Sequence, residues 1–293
     1  MNKSPVGLLG ATGLVGACLL PLLARARYRV TAFSRRELRR SDDGVEWRKL
    51  PSPLAPDSDS EEDWNISNWI CLAPIWVLPE HFGMLEAQGA RRVVALSSTS
   101  RFTKDDSSDP EEHVIALRLA EAEVRVQAWA ASHGVEWVIL RPTLIYGLGR
   151  DKNIAEIARF VRRFGFFPLF GKAKGLRQPL HAHDVAGACI AALGSPAVAN
   201  RAYNLSGFET LPYRDMVARI FRALGQPVRL LPLPLFAFRL AVAVIRLIPR
   251  YCNWSPAMAE RMNRDLVFDH REATSDFGFE PRAFVLSSED VSA

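Results

Sequence analysis

The chain has 293 residues, 48% of them apolar and 24% charged, with 37 Lys and Arg against 32 Asp and Glu. That length suits one large α/β domain, or one with a small added lobe, and the composition is that of an ordinary globular protein. The net charge of +5 fits a binder of anionic small molecules, but no basic stripe or motif accompanies it, which argues against nucleic acid as a partner. Cys18, Cys71, Cys189 and Cys252 are dispersed, with no CxxC and no His/Cys cluster, so a structural metal site is excluded and a reducing, cytoplasmic setting is expected.

Residues 5–9 read as a short buried strand, followed by the turn Gly10-Ala11-Thr12-Gly13-Leu14-Val15-Gly16 and an apolar helix from Leu14 to about Ala26. Pro21 inside that helix is expected to kink it, by a lost hydrogen bond and a ring clash. Lys3 and the apolar run 6–24 resemble a secretory leader, but the recurrence of glycine at 10, 13 and 16 is something a leader has no need of. Tyr28–Phe33 is the second strand, with Ser34-Arg35-Arg36 directly after it; residues 51–63, rich in Pro, Ser and acids, read as a surface loop. A strand at Trp69–Ala73 and a helix from Pro79 to Gln88 lead to the strand Arg92–Leu96, which ends in Ser97-Ser98-Thr99-Ser100. An acidic loop at 104–112 opens a long helix over 111–132, and the strand Glu136–Leu140 ends at Arg141-Pro142.

Strands alternating with helices at this spacing predict a parallel sheet covered on both faces. Past residue 150 the alternation loosens into a helix at 153–164, a helix at His183–Leu193, a strand at Ala202–Leu205 and a helix at Tyr213–Leu224. The expected fold is therefore a doubly wound parallel α/β sheet of the extended Rossmann type with a small C-terminal lobe. Residues 1–150 form its dinucleotide-binding part, with later strands from 178–206, while 151–293 complete the sheet and build the substrate lobe. The apolar stretch Leu230–Ile248 is interrupted by Arg239 and Arg246 and broken at its start by Pro232 and Pro234. It is too short and too charged for a membrane span, which leaves a buried helix or one lying on a membrane surface.

A strand, a tight glycine turn and a helix N-terminus make a pyrophosphate site: glycines admit the phosphates, and the first helical N–H groups point at the anion. Gly10, Thr12, Gly13, Leu14, Val15 and Gly16 are the candidate residues, with Ala73 and Ser98 at neighbouring strand ends. At the end of the second strand an acid would mark NAD by accepting bonds from a ribose 2′-hydroxyl. Here Ser34, Arg35 and Arg36 stand instead, and guanidinium groups suit a 2′-phosphate, so NADP is the expected cofactor, with NAD as the alternative.

In order along the chain, the glycine turn, Ser97-Ser98-Thr99, Leu140-Arg141-Pro142-Thr143-Leu144-Ile145-Tyr146-Gly147, His181-Ala182-His183-Asp184 and Tyr203-Asn204-Leu205-Ser206-Gly207 together resemble the short-chain dehydrogenase/reductase superfamily. The likeness is to its extended branch of epimerases and dehydratases. The resemblance implies a substrate-oxygen contact at Thr99, and a Tyr and a Lys four residues apart on the following helix to move the proton. That spacing puts both on one helix face. This chain has neither Tyr nor Lys between Lys104 and Tyr146. Counting back from Arg141, the pair would fall at Ile115 and Leu119, with Glu123 matching a family Glu; a shift of two residues would put His113 and Leu117 there instead. Thr99, Tyr146 and His113 are the candidates for proton chemistry that remain. By the same resemblance Arg177, before His181, would contact a substrate diphosphate, with Lys172 and Lys174 nearby, while His181 and Asp184 would fix the loop and cap the next helix. The reading is an atypical NADP(H)-binding oxidoreductase or epimerase-like protein acting on a nucleotide-sugar or similar anionic small molecule. Its alternative is a non-catalytic NADP(H)-binding structural, sensor or assembly protein, with peripheral membrane contact or a homodimer through the 111–132 helix as docking modes.

Overall fold

The computed structural model describes residues 3–36, 38, 44–50, 65–103, 110–234 and 256–292. The surface loop at 51–63, most of the acidic loop at 104–109, the 235–248 part of the apolar stretch, Arg39, Arg40 and Cys252 lie outside the described residues.

The parallel sheet forms from β1 (Lys3–Leu9), β2 (Tyr28–Ser34), β3 (Val45–Lys49), β4 (Asn68–Cys71), β5 (Arg92–Leu96), β6 (Glu136–Pro142) and, last in sequence, β11 (Arg201–Leu205). Its order is β11-β6-β5-β4-β1-β2-β3, with every pairing parallel. The chain therefore winds outward in both directions from β1, which is the doubly wound arrangement the alternation predicted. Side-chain alternation fixes which face each residue serves. Val6, Leu8, Val94, Leu96, Val138 and Leu140 pack toward α1 (Leu14–Arg25) and α6 (Ala182–Gly194). Leu9, Val93, Ala95 and Ile139 pack on the other face, toward a 3-10 helix (Ile75–His81), α2 (Phe82–Ala87) and α4 (Pro110–His133).

β3 is a strand the sequence reading missed, because Val45–Lys49 carries only two apolar residues, as befits a sheet edge. The helix expected at 79–88 begins instead as the 3-10 turn at Ile75, with Pro79 inside it. α1 continues through Pro21, whose ring lies on the exposed face. The apolar run after Lys3 is thus an interior strand of the sheet, between β4 and β2, and the helix covering it. Cys18, Cys71 and Cys189 are buried free thiols, pushed up by burial to about 11, 12 and 12. No helix among the described residues is long and apolar enough to cross a membrane.

A second core lies beyond β7 (Ile145–Tyr146). It joins α5 (Ile154–Phe164), β8 (Phe167–Phe170), α7 (Tyr213–Ala223) and α10 (Ser288–Val291), with Phe160, Phe167, Phe170, Phe221 and Phe284 buried among them. α3 (Ser100–Thr103), β9 (Leu176–Arg177), β10 (Leu180–His181), a second 3-10 helix (Pro196–Val198), β12 (Leu211–Pro212), β13 (Leu230–Leu233), α8 (Pro256–Asn263) and α9 (Arg271–Phe277) complete the described elements. Leu230–Leu233, the start of the apolar stretch, pairs with β8 as a parallel strand.

Candidate functional site

The site starts from the glycine turn between β1 and α1. Gly10 has φ +82°, and a side chain there would collide with the backbone of Ala73 at the end of β4. Gly16 lies against the carbonyl of Ala11, so a side chain would push α1 away from the turn. Gly13 is different. A Cβ there would meet only the Gly10 carbonyl, at 3.4 Å, and so would project into open space. Gly13 is also the N-cap of α1, with no side-chain cap and no acid in the first turn. The leading N–H groups of the helix therefore lack a side-chain cap, and the positive end of its dipole favours an anion.

That open space is a crevice of 480 Å³ lined by Gly10, Gly13, Leu14, Val15 and Gly16, by Ala73 past β4 and by Ser98 past β5. It lies at the carboxyl ends of β1 and β4, where the strand order reverses, as expected for ligands of such sheets. Thr12 is at the exposed tip of the turn, and its carbonyl accepts a bond from Arg150 at 3.1 Å. At the end of β2 the Ser34 hydroxyl accepts from the Arg36 N–H at 3.2 Å, a local turn that leaves Arg35 and Arg36 exposed.

The far wall of the crevice is α4. Ile115 and Leu119 line it, the two positions that counting back from Arg141 picked out. Leu117, which the shifted register would need in place of the Lys, is 51% exposed on the outer side with Val114 and Val124. His113 is not among the residues lining the crevice. One turn beyond Leu119 the polar chemistry resumes. Glu123 is fully buried, accepts a hydrogen bond from Ser97 at 2.5 Å and two-handed bonds from Arg141 at 2.6–3.2 Å, and pairs with Arg101. This cluster ties α4 to the ends of β5 and β6 and so fixes how α4 faces the crevice.

A second cavity, of 390 Å³, adjoins the crevice through Ser98 and Ile145 and is also lined by Thr99, Thr143, Asn153, Arg177 and Tyr213. Thr99 donates from Oγ1 to the Pro142 carbonyl at 3.2 Å. Arg177 is only 4% exposed; it donates to the carbonyls of Leu176 at 2.7 Å and Arg264 at 2.8 Å and to that of Arg261, and lies over the Tyr213 ring. Burial lowers its pKa to about 10. Much of its donor capacity thus holds α8 against β9. Tyr146 is kept from both cavities: it is buried edge-on between His181 and Phe284, and burial, then the Asp290 charge, raise its phenol far above the usual range. His181 caps α6 by accepting the His183 N–H on Nδ1, while Asp184 pairs with Arg282 instead of capping.

The structure adds residues that the sequence reading did not pick. Arg150, Asp151 and Lys152, from the loop after β7, line the crevice, and Met262, Leu266 and Phe268 close the second cavity. Gly147-Leu148-Gly149 signals a tight loop, but nothing local says that this loop returns to the first turn of the chain. A third cavity, of 760 Å³, opens at the opposite sheet edge around Asn68, Arg92 and Glu136, where the strands begin.

Sheet order, glycine turn and crevice together define an α/β protein of the Rossmann type, in its extended form. Residues 82–206 match the model of the NAD dependent epimerase/dehydratase family, which bears out the resemblance read from the sequence. The UDP-glucose 4-epimerase of Vibrio cholerae is 27% identical over 139 residues, which cover 47% of this chain and 42% of that protein. A mitochondrial NADH dehydrogenase (ubiquinone) 1 alpha subcomplex subunit 9 of Dictyostelium discoideum is 21% identical over 250 residues, or 74% of this chain and 63% of that one. The chain thus spans between 42% and 63% of the length of these curated relatives. Among solved structures, MoeE5 in complex with UDP-glucuronic acid and NAD superposes with a TM-score of 0.71 over 96% of this chain and 94% of that one, at 20% identity.

Proposed function

We propose that the protein binds NADP(H) in the crevice and holds a nucleotide-sugar or similar anionic small molecule in the adjoining cavity, as an atypical oxidoreductase or epimerase-like protein. The observation that carries this is the cradle at Gly13: open backbone and an uncapped helix start, in the crevice that also contains Ala73 and Ser98. When bound, the nicotinamide would supply hydride transfer. The chain's own residues do the rest. The glycine turn and α1 hold the pyrophosphate, with Ala73 and Ser98 lining the cofactor crevice, Arg35 and Arg36 take the 2′-phosphate, and Thr99 holds the substrate oxygen. That the solved complex of MoeE5 contains NAD and a UDP-sugar supports the pairing of the two sites.

One observation favours a second reading, in which cofactor is bound but not turned over. Ile115 and Leu119 occupy the wall where a proton-transferring pair would stand, and neither can donate or accept a proton. The similarity to a subunit of a larger complex accords with it, and the outer face of α4, with Val114 and Leu117 exposed, would then be the docking face.

Competition titration tests the first reading. NADPH is expected to bind more tightly than NADH, and Arg35→Ala to erase the difference, at a cost to NADPH of about tenfold or more. Equal affinity or a preference for NADH would overturn the assignment of NADP. Turnover of UDP-sugars decides between the readings. Rates near ten per second, typical of enzymes, would remove the second.

A further inference from the structure

The loop after β7 carries a cation that no turn motif required, and the rest of that loop is pinned from behind. Gly147 has φ +139° and packs against the His181 ring; the Leu148 N–H donates to Asp290 Oδ1 at 3.2 Å. Gly149 has φ +59°, and a side chain there would collide with the Ser292 carbonyl. Asp151 is buried and caps α5, accepting from the N–H groups of Asn153 at 2.8 Å and Ala155 at 3.2 Å. Four residues around Arg150 are thus spent on anchoring, and two of the anchors, Asp290 and Ser292, belong to the C-terminal segment.

That segment is itself locked. Ser287 and Asp290 form a capping box around α10, and Asp290 also lies 3.1 Å from His181 Nε2. Because His181 Nδ1 accepts the His183 N–H, Nε2 carries the proton and donates to Asp290. What projects toward the crevice is Arg150, which reaches across to the Thr12 carbonyl, with Lys152 beside it. Asp151 also lines the crevice, but its carboxylate oxygens are taken by backbone N–H groups.

We propose that Arg150 grips the cofactor pyrophosphate across the glycine turn, and that docking of residues 287–292 holds it there. Dinucleotide affinity is then coupled to the state of the C-terminal segment. The inference rests on the dinucleotide reading of the crevice. The chemistry recognised is the pyrophosphate, which NADH and NADPH share, so the grip is separate from the Arg35 contact to the 2′-phosphate. By linkage, the coupling is reciprocal: a bound dinucleotide tightens the docked segment.

The test titrates the parent, Arg150→Gln, Gly149→Ala and Asp290→Ala with NADH and with NADPH, and follows hydrogen exchange of residues 287–292 with and without NADH. Arg150→Gln is expected to weaken both cofactors equally, by about tenfold or more, where Arg35→Ala affects NADPH alone. Gly149→Ala and Asp290→Ala are expected to weaken both in the same proportion, and NADH to slow exchange of the C-terminal segment in the parent but not in Arg150→Gln. Arg150 is exposed, so its variant keeps the test open should the other two fail to fold. Parent-like NADH binding by Arg150→Gln, or exchange at 287–292 that NADH leaves unchanged, would overturn the proposal. A parent that binds neither cofactor would instead overturn the dinucleotide reading on which it rests.

Discussion

At one end of the crevice, Gly13 and the start of α1 present bare backbone N–H groups, and Arg150 stands across from them. At the other end, α4 presents Ile115 and Leu119, while one turn further Glu123 keeps its full set of partners, Ser97, Arg101 and Arg141. Both ends hang from the carboxyl edge of one sheet, and both are held rigidly. They therefore differ in side-chain chemistry and not in architecture: one end offers open backbone and a cation, the other an apolar wall above a buried ion cluster. Binding and catalysis on such a scaffold are separable, because anchoring an anion uses backbone geometry while proton transfer needs particular functional groups.

The largest effect is expected at the shared support. Glu123→Ala strips a fully buried carboxylate from Arg101 and Arg141, and breaking a buried ion cluster of this kind costs about 3–5 kcal/mol. Urea unfolding measures it, and a loss under about 1 kcal/mol would mean that α4 is held by its apolar face alone. Next comes the phosphate end. Gly13→Val, whose Cβ would meet only the Gly10 carbonyl, should fold normally, yet lose cofactor affinity by about a hundredfold or more, since its branch fills the space that the phosphates need. Normal binding by that variant would reduce the glycine turn to a mere connection. The α4 end can be rebuilt: Ile115→Tyr with Leu119→Lys should raise turnover of a UDP-sugar by about a hundredfold over the parent, with cofactor affinity kept. A rebuilt protein no faster than the parent would show that more than this pair has been lost.

The smallest effect is one of pH. Burial alone would raise the Asp290 carboxyl, but bonds from His181 and Ser287 outweigh it and hold the group well below the usual carboxylate range. A depressed folded-state pKa means that the unfolded chain takes up the proton first as pH falls. The contribution of Asp290 is therefore fully present above about pH 4, the value for a free Asp, and is lost as pH falls through the depressed range. The difference in unfolding free energy between the parent and Asp290→Asn, about 1–2 kcal/mol at pH 7, should shrink toward zero at strongly acid pH. A difference independent of pH would place the stabilisation in packing instead.

The sequence by itself determined the core strands of the sheet, the glycine turn and the apolar character of positions 115 and 119. Short continuous apolar runs such as Arg92–Leu96 and a glycine period across a strand–helix junction are local signals, read within a few residues. The family resemblance, aligned by distance to Arg141, picked Ile115 and Leu119, and both line the crevice. Tertiary structure alone decided the rest. It took Tyr146 into a core between His181 and Phe284, spent much of Arg177 on backbone carbonyls, and carried Arg150 to Thr12 and Asp290 to Leu148. The last two contacts join residues more than 130 positions apart. No periodicity or turn propensity encodes such a meeting, since the direction of a loop and the burial of a side chain are set by what packs against them.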